Sequence, residues 1–329
     1  MKSTKVSEQL PPEFITRLQQ IVGAGKYEEV LRAFATVKPT TLRVNTLKST
    51  KLDLLAVFKE QGVSVKSVPW WNNAFILDQP SLRELTQLNL YENGWFYVQS
   101  LSSMIPPLVL NPQKGDIVLD ITAAPGSKTT QLAMLMENQG KIIASDISPI
   151  RLLRLEANCK RQGVTIAEIK HIPGQRIWFD YPEIFDKALV DVPCSMEGTI
   201  SLADSKTFRH WSMKKIKQLS YIQKTLLRSA ISATKVGGTV VYSTCTLAPE
   251  ENEGVIDWVL KKMPGKIKVE PIHINHLEYL HGLTSFQGVQ FAQQVSQSMR
   301  IVPTKLMEGF FIAKLTKIAS TIGKELPDD

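Results

Sequence analysis

The chain of 329 residues has little cysteine and no long hydrophobic run. Its thiols are Cys159, Cys194 and Cys245, and so small and odd a number excludes a disulfide framework and favours a reducing compartment. No stretch approaches the roughly 18 uncharged apolar residues of a membrane span, and the residues from Met1 to Glu8 lack the apolar core of a secretion signal. We therefore expect a cytoplasmic protein with free thiols and no membrane partner.

Acidic residues are also in the minority. There are 31 Asp and Glu against 39 Lys and Arg, and the resulting net charge of +8 favours a polyanionic partner such as a nucleic acid. A hydrophobic fraction of 43% with 21% charged residues is typical of a globular protein and excludes a disordered one. His273, His276 and His281 lack the paired spacing of a zinc site, so we predict no bound metal. Separately, we expect the protein to be a monomer.

From about Asp116 onwards, predicted strands alternate with predicted helices. Such repeated βαβ units indicate a doubly wound parallel sheet, whose ligands bind at the carboxyl ends of the strands. The strands are predicted at 116–121, 141–147, 166–172, 187–192, 238–245, 267–272 and 310–315, and the helices at 127–137, 149–162, 214–234 and 250–263. Before this region, helical periodicity over 10–35 and strand-like alternation at 41–47 predict a small α+β domain, 1–80, followed by a large domain, 81–316, and a polar tail, 317–329.

The loop after the first strand of the large domain predicts a nucleotide-like cofactor. The loop precedes a helix, so its backbone N–H groups suit an anion, and the cofactor-binding candidates are Thr122, Ala123, Ala124, Pro125, Gly126, Ser127 and Lys128. A single Gly excludes the dinucleotide motif, and the lack of a Gly-Lys pair excludes a Walker A loop. Asp146, which ends the next strand, stands where this fold class binds ribose hydroxyls. A ribose and a carboxylate without a phosphate describe S-adenosylmethionine, although each feature alone also suits an ordinary turn or a helix cap.

Two cysteines follow strands that are neighbours in this topology. Cys194 lies in Asp191-Val192-Pro193-Cys194-Ser195, and Cys245 lies in Tyr242-Ser243-Thr244-Cys245-Thr246, whereas Cys159 lies on a helix and is interpreted as a buried apolar residue. Methylation of cytosine at carbon 5 needs such a set: a thiolate that adds to carbon 6, a base that removes the carbon-5 proton, and a carboxyl group that stabilises the adduct. The residues alone do not decide which cysteine is the nucleophile.

Several motifs in order resemble the NOL1/NOP2/Sun (RsmB/RsmF-like) family of RNA cytosine-5 methyltransferases. The matching segments are Arg43-Val44-Asn45-Thr46-Leu47-Lys48, Val98 to Met104, Asp120 to Gln131, Asp191 to Gly198, Tyr242 to Glu253 and Glu308 to Leu315. The resemblance implies a Rossmann-like S-adenosylmethionine-dependent methyltransferase sheet. It also implies that Cys245 is the nucleophile, that Cys194 releases the product, and that Asp191, at the cofactor, also reaches the target base, with Lys128 serving the active site.

Two departures from the family pattern bear on the function, whereas those at Thr122 and Ser127, a frequent Cys and a second Gly in the family, are small. The family usually carries an Asp next to the Gly of the segment His171 to Arg176, near the adenine, and this chain has no acidic residue there, around Pro173. Met196 replaces a usual Gly, a change that narrows the expected cytosine pocket. Both departures favour weak cofactor binding or a catalytically silent RNA-binding protein as the alternative function.

A basic segment follows the Cys194 loop. Residues 205–235 contain eight Lys and Arg and no acidic residue, with Trp211 and Tyr221 interleaved. This pattern suits phosphate contacts and stacking on an unpaired base, although a lysine-rich solvated helix face would look the same. The RNA-binding candidates are Lys206, Arg209, Lys214, Lys215 and Lys217. We expect a structured RNA, with ribosomal RNA slightly favoured over transfer RNA, and a DNA methyltransferase that uses Cys194 as its nucleophile is a third hypothesis.

Overall fold

The computed structural model describes residues 7–78 and 82–322, and two β-sheets organise them. The smaller sheet is antiparallel and lies in the N-terminal third of the chain. Its strands are β1 (Thr40–Val44), β2 (Val65–Val68), β3 (Trp71–Leu77) and β4 (Phe96–Val98), in the order β2-β3-β1-β4. The helices of this part are α1 (Pro12–Val22), α2 (Ala24–Phe34), α3 (Lys51–Glu60), α4 (Leu82–Leu85) and α5 (Asn89–Glu92).

The larger sheet has nine strands, and its centre is parallel. The strands that follow β4 are β5 (Ile117–Asp120), β6 (Lys141–Ser145), β7 (Ala167–Lys170), β8 (Phe185–Asp191), β9 (Thr234–Thr244), β10 (Ile267–Glu270), β11 (Leu280–His281), β12 (Ser285–Phe286), β13 (Val289–Gln290), β14 (Met299–Ile301) and β15 (Phe310–Lys317). The sheet order is β11-β14-β15-β9-β8-β5-β6-β7, with β10 on β15, while β12 and β13 form a separate hairpin. The helices are α6 (Leu101–Leu110), α7 (Ser127–Leu135), α8 (Pro149–Gln162), α9 (Ile177–Asp180), α10 (Met213–Ala233) and α11 (Glu253–Lys262).

The central strands are apolar because helices cover both faces of the sheet. Leu119 and Val190 are fully buried in one cluster, whereas Val118 and Leu189 are fully buried in another on the opposite face. The predicted Rossmann-like sheet with an N-terminal α+β part is therefore confirmed. In the parallel part, β6 and β7 lie on one side of β5 and β8 and β9 lie on the other, so the direction in which successive strands are added reverses at β5. Ligands of such folds bind in the crevice that this reversal creates.

Capping residues and glycines determine where several helices begin and end. Helix α8 begins at Pro149, after Ser148 whose hydroxyl accepts a hydrogen bond from the N–H of Arg151, and it ends at Gly163 with φ of 71°. Gly23, with φ of 73°, divides the helical stretch predicted over 10–35 into α1 and α2.

Strands and helices of the N-terminal part make contacts beyond residue 80. Strand β4 pairs with β1, so the smaller sheet continues to Val98, and residue 80 itself lies outside the described residues. Helices α1 and α2 pack mainly against Ile200, Leu247 and Phe286 of the large domain rather than on the smaller sheet. The boundaries 1–80, 81–316 and 317–329 stay predictions; β15 reaches Lys317, and the tail beyond residue 322 lies outside the described residues.

Candidate active site

The carboxyl ends of β8 and β9 bring two cysteines together. These strands are parallel neighbours in which Asp191 pairs with Ser243. Cys194 follows β8 by three residues, Cys245 directly follows β9, and their Sγ atoms lie 3.2 Å apart. The adjacency that the topology predicted is thus present, and the backbone ladder of the sheet fixes it.

The two thiols have different surroundings. Cys194 is buried, whereas Cys245 is partly exposed. The hydrogen bond with Cys245 and burial raise the pKa of the Cys194 thiol well above its ordinary value. Either sulfur can be the donor of the hydrogen bond between them, and the greater exposure of Cys245 makes it the thiol that an incoming substrate meets first. Cys159 lies apart from them on α8, where burial raises the pKa of its thiol to about 12.

A lysine and an aspartate form the polar side of this site. Lys128 Nζ lies 2.7 Å from Asp191 Oδ2 and donates to Ser103 Oγ at 2.7 Å. Ser243 Oγ donates to the other carboxylate oxygen, Asp191 Oδ1, at 2.7 Å. The Asp191 carboxylate, partly exposed, is consequently fixed in orientation at the end of the strand that leads to Cys194. Thr122 Oγ1 donates to the carbonyl oxygen of Asp191 at 2.7 Å, so the 122–128 loop is attached to the same strand end.

The 122–128 loop also contacts the end of β6. The buried carboxylate of Asp146 accepts hydrogen bonds from the N–H of Ala124 at 3.3 Å and from the N–H of Ser148 at 3.0 Å, and it lies 3.1 Å from Arg151 Nη1. Gly126, with φ of 106°, precedes the first turn of α7. A Cβ at this position would approach Leu155 Cδ1 to 2.8 Å, so a side chain here would have to displace the buried Leu155 side chain in addition to adopting a positive φ.

Two buried carboxyl groups of the site were not singled out from the sequence. Asp120, at the end of β5, accepts a hydrogen bond from Thr129 Oγ1 at 2.7 Å, and burial raises its pKa to about 7. Glu251 accepts from the N–H of Ser195 at 3.0 Å and from Gln223 Nε2 at 2.6 Å, and burial raises its pKa to about 7 as well. Glu251 therefore holds the loop that carries Cys194. The available signal in the sequence was the polar run Glu250 to Glu253, close after Cys245, and the structure buries Glu251, Asn252 and Glu253 fully.

The structure places both Met196 and the segment around Pro173, the two departures from the family pattern. Met196 has φ of 65°, a left-handed conformation that favours glycine, and its side chain is 50% exposed. Next to Pro173, Gly174 lies against Ile121, the residue that precedes the 122–128 loop, and its carbonyl accepts a hydrogen bond from Ser229 Oγ at 2.7 Å. The segment that contains Pro173 thus borders the same crevice.

The basic segment forms an exposed surface along the start of α10. Its predicted RNA-binding residues, Lys206, Arg209, Lys214, Lys215 and Lys217, are all exposed. Tyr221 is 60% exposed and lines a cavity of about 690 Å³ with Lys217 and Lys224, to which Glu250 also contributes. Trp211 is different, because its Nε1 donates to Glu197 at 2.7 Å and its ring packs edge-on against Phe14. Trp211 therefore belongs to the contact with α1 and is not an open stacking surface.

Across residues 7–78 and 82–322, no group of three His, Cys, Asp or Glu side chains is placed to hold a metal ion. In the same ranges, no helix combines the length and the apolar character needed to cross a membrane.

Comparisons with known proteins match both parts of the chain. A family model described as 16S rRNA methyltransferase RsmB/F matches residues 107–316, and one described as the N-terminal domain of 16S rRNA methyltransferase RsmF matches residues 10–101. The ribosomal RNA small subunit methyltransferases F of Erwinia tasmaniensis and Vibrio cholerae are 35% and 37% identical over 94% of this chain. The chain spans 64% of the length of each of these curated relatives.

Solved structures agree with this match. A methyltransferase homologue protein from Pyrococcus horikoshii is 35% identical, with a TM-score of 0.82, and covers 96% of this chain and 97% of its own. NSun6 from Pyrococcus horikoshii, determined with SFG, is 25% identical with a TM-score of 0.80, over 95% of this chain and all of its own.

Proposed function

Because the chain belongs to the RsmB/F family of 16S rRNA methyltransferases, we propose that it transfers a methyl group from S-adenosylmethionine to carbon 5 of a cytosine in ribosomal RNA, through a covalent cysteine adduct. The observation that carries the proposal is the 3.2 Å separation of Cys194 Sγ and Cys245 Sγ beside a fixed carboxylate. Cytosine-5 chemistry uses two such groups in succession, whereas many other methylations need only a bound acceptor and a base.

The residues around the 122–128 loop fit S-adenosylmethionine. Asp146 is a buried carboxylate at the end of β6, oriented by two backbone N–H groups, and in this role it would hold the ribose hydroxyls. The N–H groups at the start of α7 would receive the carboxylate of the methionine part. When bound, this cofactor supplies an electrophilic methyl group on a sulfonium ion.

Cys245 begins the proposed reaction. Its thiolate adds to carbon 6 of the cytosine, which turns carbon 5 into a nucleophile for the methyl group. Asp191, held by Lys128 and Ser243, accepts a hydrogen bond from the exocyclic amine of the base and so orients it.

Cys194 completes the reaction. A base bonded to Cys245 would lie beside Cys194, because the two Sγ atoms are 3.2 Å apart. After methyl transfer, the Cys194 thiol releases its proton to water, and the resulting thiolate takes the proton of carbon 5. The electrons of the broken carbon–hydrogen bond form the double bond between carbons 5 and 6 again, and the bond between carbon 6 and sulfur breaks, so that Cys245 leaves as a thiolate.

A denaturing gel after incubation with 16S rRNA and S-adenosylmethionine tests this assignment. We expect Cys194→Ala to accumulate a protein–RNA adduct and Cys245→Ala to form none, because the first variant cannot release the product and the second cannot start the reaction. Cys159→Ala is the matched control: it removes a thiol outside the site and should behave as the wild type. An adduct in Cys245→Ala but not in Cys194→Ala would reverse the roles.

Methyl incorporation measured in the same samples separates the alternatives. Wild-type protein should place label at carbon 5 of cytosine, located by bisulfite sequencing. RNA binding without either adduct or label would instead support the catalytically silent RNA-binding protein, and label on DNA in place of RNA would support a DNA methyltransferase.

A further inference from the structure

A cavity of about 650 Å³ lies between the smaller sheet and helix α8, outside the pair of cysteines. Two tyrosine rings, Tyr91 and Tyr97, line it together with Asn158, Arg161 and, near its edge, the exposed Arg83. Its volume falls within the roughly 300–1,000 Å³ of small-ligand sites. We call it the Tyr97 cavity.

The cationic side of the Tyr97 cavity is held in place by its neighbours. The guanidinium carbon of Arg161 lies 4.7 Å from the centroid of the Tyr91 ring. Arg161 Nη1 also donates to Tyr91 Oη at 3.2 Å and to Asn158 Oδ1 at 3.1 Å. Its ion pair with Glu92 is long, 3.8 Å, and the Glu92 side chain is well exposed, so water screens it. Arg161 can therefore exchange this weak partner for a stronger anion.

The aromatic side is also supported from behind. The fully buried Arg43 places its guanidinium carbon 5.1 Å from the centroid of the Tyr97 ring. Arg43 is itself fixed by Gln99 Oε1 at 2.9 Å and Thr130 Oγ1 at 2.7 Å. A ring that is backed by an immobile cation and borders an open cavity offers a stacking surface at low entropic cost.

The Tyr97 cavity is connected to the proposed cofactor site. Asn158 Nδ2 donates to the carbonyl oxygen of Pro125 at 2.8 Å and lies 3.4 Å from Tyr97 Oη. Pro125 belongs to the 122–128 loop, so a molecule in this cavity would lie on the outer side of that loop, with the loop between it and the site.

We propose that the Tyr97 cavity binds one unpaired nucleotide of the RNA substrate, with its base against the Tyr97 ring and its phosphate at Arg161. A π surface, a guanidinium group and an amide within one cavity match the base, the phosphate and the base edge of a nucleotide. This inference rests on the proposed function, because it takes RNA as the substrate. The nucleotide lies apart from the target cytosine, so the cavity selects the strand that flanks the target and does not contact the reacting atoms.

The test measures the affinity of the full chain for 16S rRNA, without cofactor, at several salt concentrations. Arg161→Met should weaken binding roughly ten-fold and lower the slope of log affinity against log salt by about one, because one phosphate contact is lost. Tyr97→Leu should weaken binding by a similar factor and Tyr97→Phe should not, since phenylalanine keeps the stacking surface. Lys160→Met is the matched control: it removes an exposed positive charge one residue away, on the same helix, outside the cavity.

Ultraviolet crosslinking adds a readout that a structural role would not change. We expect RNA crosslinks on Tyr97 or Tyr91, mapped by mass spectrometry, that disappear in Arg161→Met while the affinity for S-adenosylmethionine stays unchanged. The proposal for the Tyr97 cavity would be overturned if Arg161→Met and Lys160→Met weakened RNA binding equally and no crosslinks formed in the cavity. If the protein still methylated RNA in that case, the proposed function would remain intact. Wild-type protein that neither binds nor methylates RNA would remove both. A parallel experiment titrates the protein with nucleoside 5′-monophosphates. If these bind to saturation while the affinity for RNA does not depend on Arg161, the cavity binds free nucleotides and the proposal is contradicted.

Discussion

Lys128 Nζ, in the first turn of a helix, lies 2.7 Å from Oδ2 of Asp191, the last residue of a central strand. Lys128 belongs to the first turn of α7, which follows the 122–128 loop, while Asp191 ends β8. The pair therefore joins the loop to the strand that leads to Cys194, and a change in either partner should affect both sides of the crevice.

Removal of the ammonium group should reduce methyl transfer strongly. We expect Lys128→Met to lower kcat/KM about 100-fold, because the partly buried Asp191 carboxylate loses its opposite charge and its fixed orientation. Lys141→Met breaks an exposed ion pair with Glu168 and should leave kcat/KM unchanged. Steady-state rates with 16S rRNA measure both variants, and equal rates for Lys128→Met and the wild type would exclude a role of the pair in catalysis.

A side chain at Gly126 should disturb the 122–128 loop. Gly126→Ala introduces a Cβ 2.8 Å from Leu155 Cδ1 at φ of 106°, and we expect unfolding free energy to fall by about 2–3 kcal/mol and S-adenosylmethionine affinity to fall as well. Gly115→Ala is the matched control, because Gly115 also has a positive φ, 90°, but open space around it. Denaturant unfolding and calorimetric titration compare the two, and equal losses would show that the contact with Leu155 is unimportant.

Met196 stores backbone strain that glycine would remove. With φ of 65° and a half-exposed side chain, Met196 has little packing to lose, so Met196→Gly should raise the free energy of unfolding by about 0.5–1 kcal/mol. Met196→Ala keeps the Cβ and should give no such gain. Thermal unfolding measures both, and a melting temperature of Met196→Gly at or below that of Met196→Ala would contradict the assignment.

Glu251 should make the protein less stable as pH rises. Burial raises its pKa from an ordinary value of 4.5 to about 7, so between these values the folded protein keeps a proton that the unfolded chain has lost. The stabilisation is complete below about pH 4.5 and is lost as pH rises through about 7, and it amounts to at most about 3 kcal/mol. Glu251→Gln should remove this part of the slope in urea unfolding at a series of pH values. The part of the pH slope that remains in this variant should come from Asp120, whose pKa burial also raises to about 7. An unchanged slope in Glu251→Gln would show that Glu251 does not titrate in this range.

Local sequence signals predicted the parts of the fold that depend on neighbouring residues. The βαβ order placed Cys194 and Cys245 just after adjacent strands, and the helix predicted over 149–162 has the bounds of α8. These signals act over a few residues, so they are visible without knowledge of tertiary contacts.

The remaining features depend on tertiary packing. Helix α6 contains Pro106 and Pro107, which normally interrupt a helix, yet both are buried there between the sheet and α7. Trp211 looked like a stacking residue for RNA, but its ring packs on Phe14, almost 200 residues earlier in the chain. Glu251 was part of a recognised motif without an assigned role, because its hydrogen bond to the Ser195 backbone depends on how two distant loops meet.

The packing of α1 and α2 has a consequence for how the chain folds during synthesis. Their apolar faces rest on Ile200, Leu247 and Phe286, which are synthesised much later than the helices themselves. Until then Phe14 and Phe34 contact only each other and the rest of the two helices, and contacts of such long sequence separation form slowly. A nascent chain that is arrested before Phe286 should thus expose this hydrophobic pair of helices and present it to chaperones.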